Sequence, residues 1–416
     1  MYRGEEQGNQ VQTNLNRRCV MKRATIFGLV GTMAMAVGLI VPIEADAVPA
    51  FSRTYGHACS KCHTAWPALS AYGRDFKESG YMDDRGQPEE QMKINDWLTL
   101  PKVFPLALVV KSRPFDQKKG GEVKLRALHE LEIFFAGNAF KYGSFFVELE
   151  LEDENDFEVE TAVGVAGFHP HQLFNIVLGK GSVFHADPYN SLSNARRLTR
   201  SRREPMNQGF STGVSLQDEH QMVSLYGRET VLNKLFYSLT ASADVADNEG
   251  AGPKDFSGRL AFDILPNLMI GGFISTGSQN ITSGGVKKEL DFRRVGIDLQ
   301  ARFGGLNLLG AALWAEDNKF TGGDESKNAW YAEAFYTIGE DNLRAMGIPL
   351  HMVVPIVRVD QYEKKGVKDN FTDLTLNLSF YPWENVKFYA EYFTSVERPS
   401  GVASDWRWTV QAELAF

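Results

Sequence analysis

Cysteine is scarce in this chain, which has three cysteines among 416 residues. Cys19 falls in the predicted leader at 1–47, which is discarded, so the mature chain keeps only Cys59 and Cys62. A zinc site requires a second pair of ligands at compact spacing, and the sequence offers none. A redox-active dithiol typically lies in a βαβ unit, and the pattern around the two cysteines does not form one.

Long hydrophobic runs are also missing after the N-terminal leader. The leader combines the basic residues 21–23 (MKR), the uncharged stretch 24–41 and the A-x-A site 45–47. This pattern predicts a secretory signal peptide that is cleaved before Val48, with Met21 as the true start. The alternative is an uncleaved membrane anchor, because the uncharged stretch is nearly long enough to span a bilayer. If the rest of the chain lies in a membrane, it does not cross it as helices.

A basic excess is absent as well, with 52 acidic against 44 basic residues. A mildly acidic chain argues against a nucleic-acid partner. Aromatic residues and glycine are plentiful, with 28 Phe, 14 Tyr, 7 Trp and 38 Gly. This composition favours a fold that is rich in β-strands and turns.

The sequence CSKCH, residues 59–63, is the attachment motif of c-type haem. Two thiols at this spacing can add to the two vinyl groups of one haem. The histidine that follows is then positioned beneath the iron as the proximal ligand. We therefore expect one covalently bound haem c, with Cys59 and Cys62 as thioether anchors and His63 as the iron ligand.

The stretch TAWPALSAYGRDFKESGY after the motif predicts one short helix. Leu69, Tyr72 and Phe76 recur at helical spacing, Pro67 suits a first helical turn, and Gly80 is placed to end the helix. The apolar face of this helix is expected to lie against the haem. Because residues 48–95 are few for an independent cytochrome fold, the haem segment is expected to rest on a larger partner.

The second axial ligand of the haem iron is left open by the sequence. Met82 is the candidate we carry forward, since a methionine ligand near the motif would raise the haem potential. The other candidates are Met92, His57, His129, His169 and His171. Each of these side chains could equally have a packing or surface role.

Beyond residue 100, apolar and polar residues alternate with a period of two. In the C-terminal segment WRWTVQAELAF, one face carries Trp406, Trp408, Val410, Ala412, Leu414 and Phe416. The other face carries Arg407, Thr409, Gln411 and Glu413. The segments VKFYAEYFT, FTDLTLNLSF and RRVGIDLQARF repeat the pattern. Strands of this kind, with a terminal Phe, are typical of an outer-membrane β-barrel, and the usual even number favours 16 strands over residues 102–416.

Loop lengths are consistent with a barrel in the C-terminal half. Short links at 265–267, 304–305 and 381–385 alternate with long polar stretches such as STGSQNITSGGVKKELD and AEDNKFTGGDESKN. Short periplasmic turns that alternate with long outer loops are the expected pattern. The alternation fails over residues 180–210, which are long and basic. A soluble β-sandwich is the alternative fold.

Several polar strand faces are acidic. Glu148, Glu150 and Glu152 form one row, and Glu130 and Glu132 form another. In a barrel lumen these rows would attract cations toward the haem. The alternative for each row is a solvated face without such a role.

The stretch VPAFSRTYGHACSKCHTAWPALSAYGRDFKESGY resembles the haem segment of the fused cytochrome-porin family of the outer membrane of iron-oxidising bacteria. The resemblance is detailed over this stretch and architectural over the rest of the chain. It implies one c-type haem joined to a barrel of about 16 strands, and electron uptake from extracellular Fe(II). The residues that it carries over are Cys59, Cys62 and His63, and it does not supply the distal ligand.

Together these patterns predict three parts: a leader at 1–47, a monohaem cytochrome c segment at 48–95, and a barrel at 102–416. The expected protein is exported through the Sec pathway and inserted into outer-membrane lipid. There it would act as an oxidoreductase that passes electrons from extracellular Fe(II) to a periplasmic c-type cytochrome. The alternatives are an outward conduit to an extracellular acceptor, and a periplasmic haem-binding sensor with a soluble β domain.

Overall fold

The computed structural model describes the chain from Pro49 onward. The described residues are 49–85, 90–95, 99–193, 197–243, 254–367 and 369–416. The predicted leader at 1–47 and its cleavage site lie outside them. All described residues belong to one unit, 46–416.

In the described part of the chain, sixteen antiparallel strands form a closed barrel, and each strand pairs with the next. They are β1 (Leu106–Lys118), β2 (Lys124–Phe140), β3 (Gly143–Glu152), β4 (Val159–His171), β5 (Phe174–Ser182), β6 (Glu219–Arg228), β7 (Leu235–Ala243), β8 (Lys254–Leu265), β9 (Leu268–Ser283), β10 (Val286–Phe303), β11 (Leu306–Asn318), β12 (Asp324–Tyr336), β13 (Met352–Tyr362), β14 (Phe371–Trp383), β15 (Val386–Glu397) and β16 (Trp406–Ala415). After a break, β12 continues as Ile338–Gly339, which still pairs with β13. β1 pairs with β16, with Val110 opposite Leu414, and closes the ring. The predicted 16-stranded barrel is confirmed.

The strands place apolar side chains outside and polar side chains inside. On β16, Thr409, Gln411 and Glu413 are buried, whereas Trp408 and Leu414 are each 40% exposed on the outer surface. Closure pairs the backbone groups of every strand, and an apolar outer face suits lipid. The chain is therefore an outer-membrane β-barrel, as the alternating sequence pattern predicts.

The connections between strands differ in length at the two ends of the barrel. At one end, which we call the short-turn mouth, five connections have two residues each: 141–142, 172–173, 266–267, 304–305 and 384–385. At the other end, the long-loop mouth, the connections include 153–158, 183–218, 363–370 and 398–405. In outer-membrane barrels the short turns face the periplasm and the longer loops face outward.

One predicted long loop is a hairpin instead. The polar stretch 275–291 extends β9 to Ser283 and starts β10 at Val286, so that only Gly284 and Gly285 form the turn. Both glycines have positive φ, 59° and 78°, as a two-residue hairpin turn requires. The polar side chains in this stretch therefore belong to paired strands.

The connection between β5 and β6 folds back into the lumen, and we call it the inward segment (183–193 and 197–218). The hydroxyl of Tyr331 donates to the Ser191 carbonyl at 2.6 Å, and Arg294 donates to the Val214 carbonyl at 3.0 Å. These contacts fix the segment to the barrel wall. Its packing inside the lumen explains why the strand alternation fails in this part of the sequence.

The helices in the described part of the chain are short. They are α1 (Pro49–Tyr55), α2 (Cys59–Cys62), α3 (Ala71–Glu78) and α4 (Glu340–Ala345), with 3-10 turns at Asp153–Asn155 and Glu204–Asn207. Among the described residues, no helix is long and apolar enough to cross a membrane. A small ribbon of Gln91–Lys93 and Thr99–Pro101 joins the N-terminal segment to the barrel.

The helix predicted after the haem motif is confirmed only in its second half. It begins at Ala71, with Ser70 as the N-cap that accepts a hydrogen bond from Gly73 N at 3.1 Å. The preceding residues His63–Ala65 and Ala68–Leu69 form a small hairpin. Pro67 lies in the turn of this hairpin because the residue before a proline is disfavoured in a helix. Gly80, with φ 74°, follows the helix end as predicted.

Candidate functional site

A network of buried charges anchors α3 inside the barrel. Arg228 at the end of β6 binds the Glu78 carboxylate through two hydrogen bonds of 2.8 Å, and binds Asp263 of β8 at 2.7 Å. Arg74 of α3 binds the same Asp263 at 2.9 Å. Because each charge has a partner of opposite sign, the cost of burying the network is offset. The network therefore fixes the N-terminal segment within the lumen.

The haem motif itself contacts the short-turn mouth. Glu384, in the turn between β14 and β15, accepts hydrogen bonds from Cys59 N at 2.6 Å and from Ser60 Oγ at 2.8 Å. Its carboxylate lies at the N-terminus of α2, where a negative charge is favourable. The hydroxyl of Tyr381 donates to the Trp66 carbonyl at 2.7 Å. The motif therefore lies at the short-turn mouth, the end that faces the periplasm in outer-membrane barrels generally.

The ring of His63 is oriented by a backbone contact. Its Nδ1 lies 3.2 Å from the Pro67 carbonyl oxygen, which can only accept a hydrogen bond. A proton on Nδ1 leaves Nε2 as the ligand atom for a metal, the arrangement common to metal-bound histidines. The donor set of the motif therefore fits a haem iron.

The cysteine environment does not suit a reactive dithiol. Burial raises the pKa of the Cys62 thiol to about 11, with Lys61 opposing the shift and Asp83 adding to it. A reactive dithiol requires a lowered pKa, because the thiolate is the nucleophile. The thioether interpretation is the one that this environment favours.

A lumen cavity of about 700 Å³ borders the motif. Cys59, Cys62 and His63 line one side of it, and the apolar side chains of Leu69 and Phe76 extend that side. The volume lies within the range of cofactor and ligand sites, about 300 to 1,000 Å³. The residues present therefore fit a haem c bound between the motif and the barrel wall.

Gly73 allows α3 to pack directly on the motif. A Cβ at this position would overlap the backbone carbonyl oxygen of Cys62. Only glycine permits this approach of two backbones. The close packing holds α3, which carries the anchoring charges, in a fixed position relative to the haem-attachment residues.

The candidates for the second iron ligand occupy different environments. Met82 is buried, but it is not among the residues that line the cavity. Met92 is 52% exposed on the small ribbon. His57 lines the cavity and contacts the Asp83 carboxylate at 2.7 Å. No observation on the described residues settles Met82, which stays a prediction.

The barrel histidines are placed differently from one another. His169 on β4 contacts Ser144 through Nε2 at 2.7 Å and Tyr226 through Nδ1 at 3.1 Å, so both ring nitrogens are engaged. His171 is exposed beside the 172–173 turn, where its Nδ1 accepts from the backbone. His129 lies on β2 beside the acidic rows.

His185, which no sequence pattern singles out as a ligand, lines the same cavity as His63. It lies at the start of the inward segment, and its ring centroid is 6.2 Å from that of Phe146 on β3. The signal that could have identified it is the loss of strand alternation just after residue 182. A histidine in a segment that turns from the barrel wall into the lumen is a candidate ligand for a metal bound there.

The rest of the cavity has an acidic wall and a basic wall. The acidic wall consists of Glu130, Glu132, Glu148, Glu150, Glu152 and Glu160 on β2 to β4. The basic side includes Arg197, Arg200 and Arg202 of the inward segment, with Lys111, Arg113 and Lys180 on the strands. Burial, together with the nearby Arg407 and Arg113, lowers the pKa of Arg200 to about 10, and Asp116 opposes the shift. The predicted acidic rows therefore do face the lumen.

Comparison with solved structures places the barrel among porins. An anion-selective porin from Comamonas acidovorans is similar over 75% of this chain and 98% of its own, with 14% identity and a TM-score of 0.53. OmpF of Salmonella typhi, in complex with daunomycin, is similar over 79% and 100%, with 14% identity and a TM-score of 0.55. OmpT of Vibrio cholerae, in its trimer form, is similar over 75% and 98%, with 10% identity and a TM-score of 0.53. No protein-family model and no curated protein sequence matches the chain.

Fold and lumen together define the class of protein. The chain is a porin-like outer-membrane barrel of 16 strands. At the identities given above, the similarity to porins shows the fold alone. In this chain an N-terminal segment lies in the lumen and carries the haem-attachment sequence.

Proposed function

We propose that this protein is an outer-membrane cytochrome-porin that carries electrons from extracellular Fe(II) to a periplasmic c-type cytochrome. One observation supports it above the others: Cys59, Cys62 and His63 of the CSKCH motif border the same lumen cavity as the acidic wall. The first is a haem-attachment sequence and the second favours cations. The resemblance of the N-terminal stretch to the fused cytochrome-porin family points to the same function.

Cys59 and Cys62 would hold the haem through thioether bonds, and His63 would be its proximal ligand. Bound haem supplies a one-electron carrier, which accepts one electron as Fe(II) becomes Fe(III) and gives one electron to the acceptor cytochrome. The chain orients the His63 ring through the Pro67 carbonyl. The buried charges on α3 keep the motif at the short-turn mouth, within reach of periplasmic carriers. A bilayer core of about 30 Å would otherwise separate donor from acceptor.

Met82 and His185 can be tested directly as the second iron ligand. Met82 follows from the sequence, and His185 is favoured by its position in the cavity wall. We expect His185→Ala to change the absorption bands and raise the spin state of the haem, because loss of a ligand weakens the ligand field at the iron. Met82→Ala should leave both the bands and the spin state unchanged. The opposite result would assign the ligand to Met82. Spectra of the two purified variants are the measurement.

The proposed donor is tested with the purified full-length protein in detergent. Anaerobic addition of Fe(II) is expected to reduce the haem, seen as the sharpened α band of a reduced c-type cytochrome. Dithionite reduces any accessible haem and gives the full amplitude for comparison. A haem that dithionite reduces and Fe(II) does not would count against Fe(II) as the donor and favour the outward conduit.

A further inference from the structure

We propose that His129, Glu130 and Glu152 form a binding site for a divalent first-row transition-metal ion, near the long-loop mouth of the barrel. The inference deepens the proposed function and rests on it in one respect, since the ion would be the Fe(II) donor on its way to the haem. One ligand atom from each of the three residues lies within 4.8 Å of the others. One imidazole and two carboxylates suit Fe(II), Mn(II) and Zn(II).

A β-bulge brings the histidine to this site. On β2, Glu130 pairs with Lys111 of β1, and the next pair along the strands is Arg126 with Arg113. The unequal spacing adds residues to β2, so both His129 and Glu130 are turned inward and buried, at 2% and 4% exposure. Bulges of this kind commonly re-aim a side chain at a functional site.

The His129 ring is set up as a metal ligand. Its Nδ1 lies 2.7 Å from Asp153 Oδ1, and its Nε2 lies 3.9 Å from Glu130 Oε2, too far for a hydrogen bond. Among the described residues, no hydrogen bond reaches this Nε2. A carboxylate that fixes one ring nitrogen while the other is directed at a cluster of ligands is typical of metal-bound histidines. His129 therefore adds a nitrogen ligand that the acidic cluster alone would not provide.

The charges around the site favour a cation. Glu130 and Glu152 face each other directly across β2 and β3, which is unfavourable for like charges. Lys111 is paired with Glu130 and with Glu132, the second at 2.6 Å. Arg126 is paired with Asp153 at 2.9 Å, and also with Glu154. Within the described residues, Glu152 forms no ion pair with a basic side chain. A bound cation would therefore offset its negative charge.

The site lies on a path toward the haem motif. Glu152 ends β3 at the long-loop mouth, and Phe146 on the same strand stacks on Tyr81 of the N-terminal segment at 6.0 Å. Six residues of strand cover roughly 20 Å. Glu148 and Glu150 line the cavity between these two points. An ion that enters from outside would therefore meet this site first, and Glu150 and Glu148 next.

A second cluster, Glu130, Glu132 and Glu150, has a similar spacing. Lys111 already binds two of these carboxylates. No nitrogen ligand is present in it. The site with His129 is therefore the one proposed.

The test uses the haem-loaded full chain in detergent and Mn(II) as the probe, because Mn(II) binds oxygen and nitrogen ligands and its free form is counted by electron paramagnetic resonance. We expect one saturable site. In His129→Gln and Glu152→Gln, the dissociation constant should rise by at least the roughly 10- to 100-fold that loss of an outer-shell partner costs. Glu148→Gln is the matched control on the same wall and should change it less than about threefold.

Heat-modifiable gel migration confirms that each variant is folded. Equal Mn(II) binding in the wild type and in both variants, or the absence of saturable binding, would overturn the site. The proposed function is scored separately, by reduction of the haem on addition of Fe(II). If Fe(II) reduces the haem but no Mn(II) binds, the metal site is wrong and the proposed function stands. If Mn(II) binds but Fe(II) does not reduce the haem, the metal site stands and the proposed function is wrong.

Discussion

Replacing Cys59 and Cys62 together by alanine is expected to abolish covalent haem while the barrel still folds. Both thioether bonds are lost, so any haem that remains is held only by weaker contacts. The anchoring charges of the N-terminal segment lie on α3, outside the motif, and among the described residues the barrel strands pair only with one another. Haem staining on denaturing gels should disappear, whereas heat-modifiable migration and outer-membrane recovery should persist.

The third cysteine provides the matched control. Cys19 lies in the predicted leader, so Cys19→Ala should retain full haem staining. Haem staining that survives in the double variant would show that the cofactor is held in another way, and the thioether assignment would be wrong. Recovery of the wild type as a periplasmic protein without heat-modifiable migration would contradict the barrel itself.

Replacing Arg228 by methionine is expected to release α3 from the lumen. The Glu78 carboxylate, which is 8% exposed, would lose both of its hydrogen bonds to Arg228. Removing one partner of a buried ion pair costs about 3 to 5 kcal/mol. The undocked fraction of the segment should therefore rise roughly a hundredfold or more. Limited proteolysis within residues 49–85 measures this fraction.

Arg344→Met is the matched control for this substitution. Arg344 forms an exposed ion pair with Glu340 one helical turn away, and its side chain is 71% exposed. Such surface pairs contribute about 0 to 1 kcal/mol. Cleavage within 49–85 should be unchanged. Similar cleavage of the two variants would mean that the buried network does not hold the segment.

The barrel could be predicted from the sequence because its pattern is local. Each strand alternates over about ten residues, and one face must meet lipid while the other meets the lumen. On β15, for example, the alternation correctly places Lys387 and Glu391 inside and buried. Strand ends were less predictable: polar residues around Gly284 have the composition of a loop but continue two paired strands.

The position of the haem segment could not be predicted, because its contacts are distant in sequence. Glu78 and Arg228 are 150 residues apart, and Arg74 and Asp263 are 189 apart. Nothing in the local pattern around α3 indicates these partners. The motif residues could be assigned because the chemistry of haem attachment is contained in five consecutive positions.

The inward segment was missed for a related reason. Its backbone groups bond to side chains of distant strands, such as Arg294 and Tyr331, and it has no periodic pattern of its own. The sequence shows only that strand alternation stops. His185 lies in this segment and was missed for the same reason. The sequence also does not show that the basic inward segment faces the acidic wall across the lumen.

Electron transfer through the barrel is the central claim, and reconstituted vesicles test it most directly. The protein is inserted into liposomes that enclose an oxidised c-type cytochrome, and Fe(II) is added outside under anaerobic conditions. We predict reduction of the enclosed cytochrome with the wild type, and none with the haem-free variant in which Cys59 and Cys62 are alanine. Equal rates with both proteins, or no reduction with either, would contradict the account.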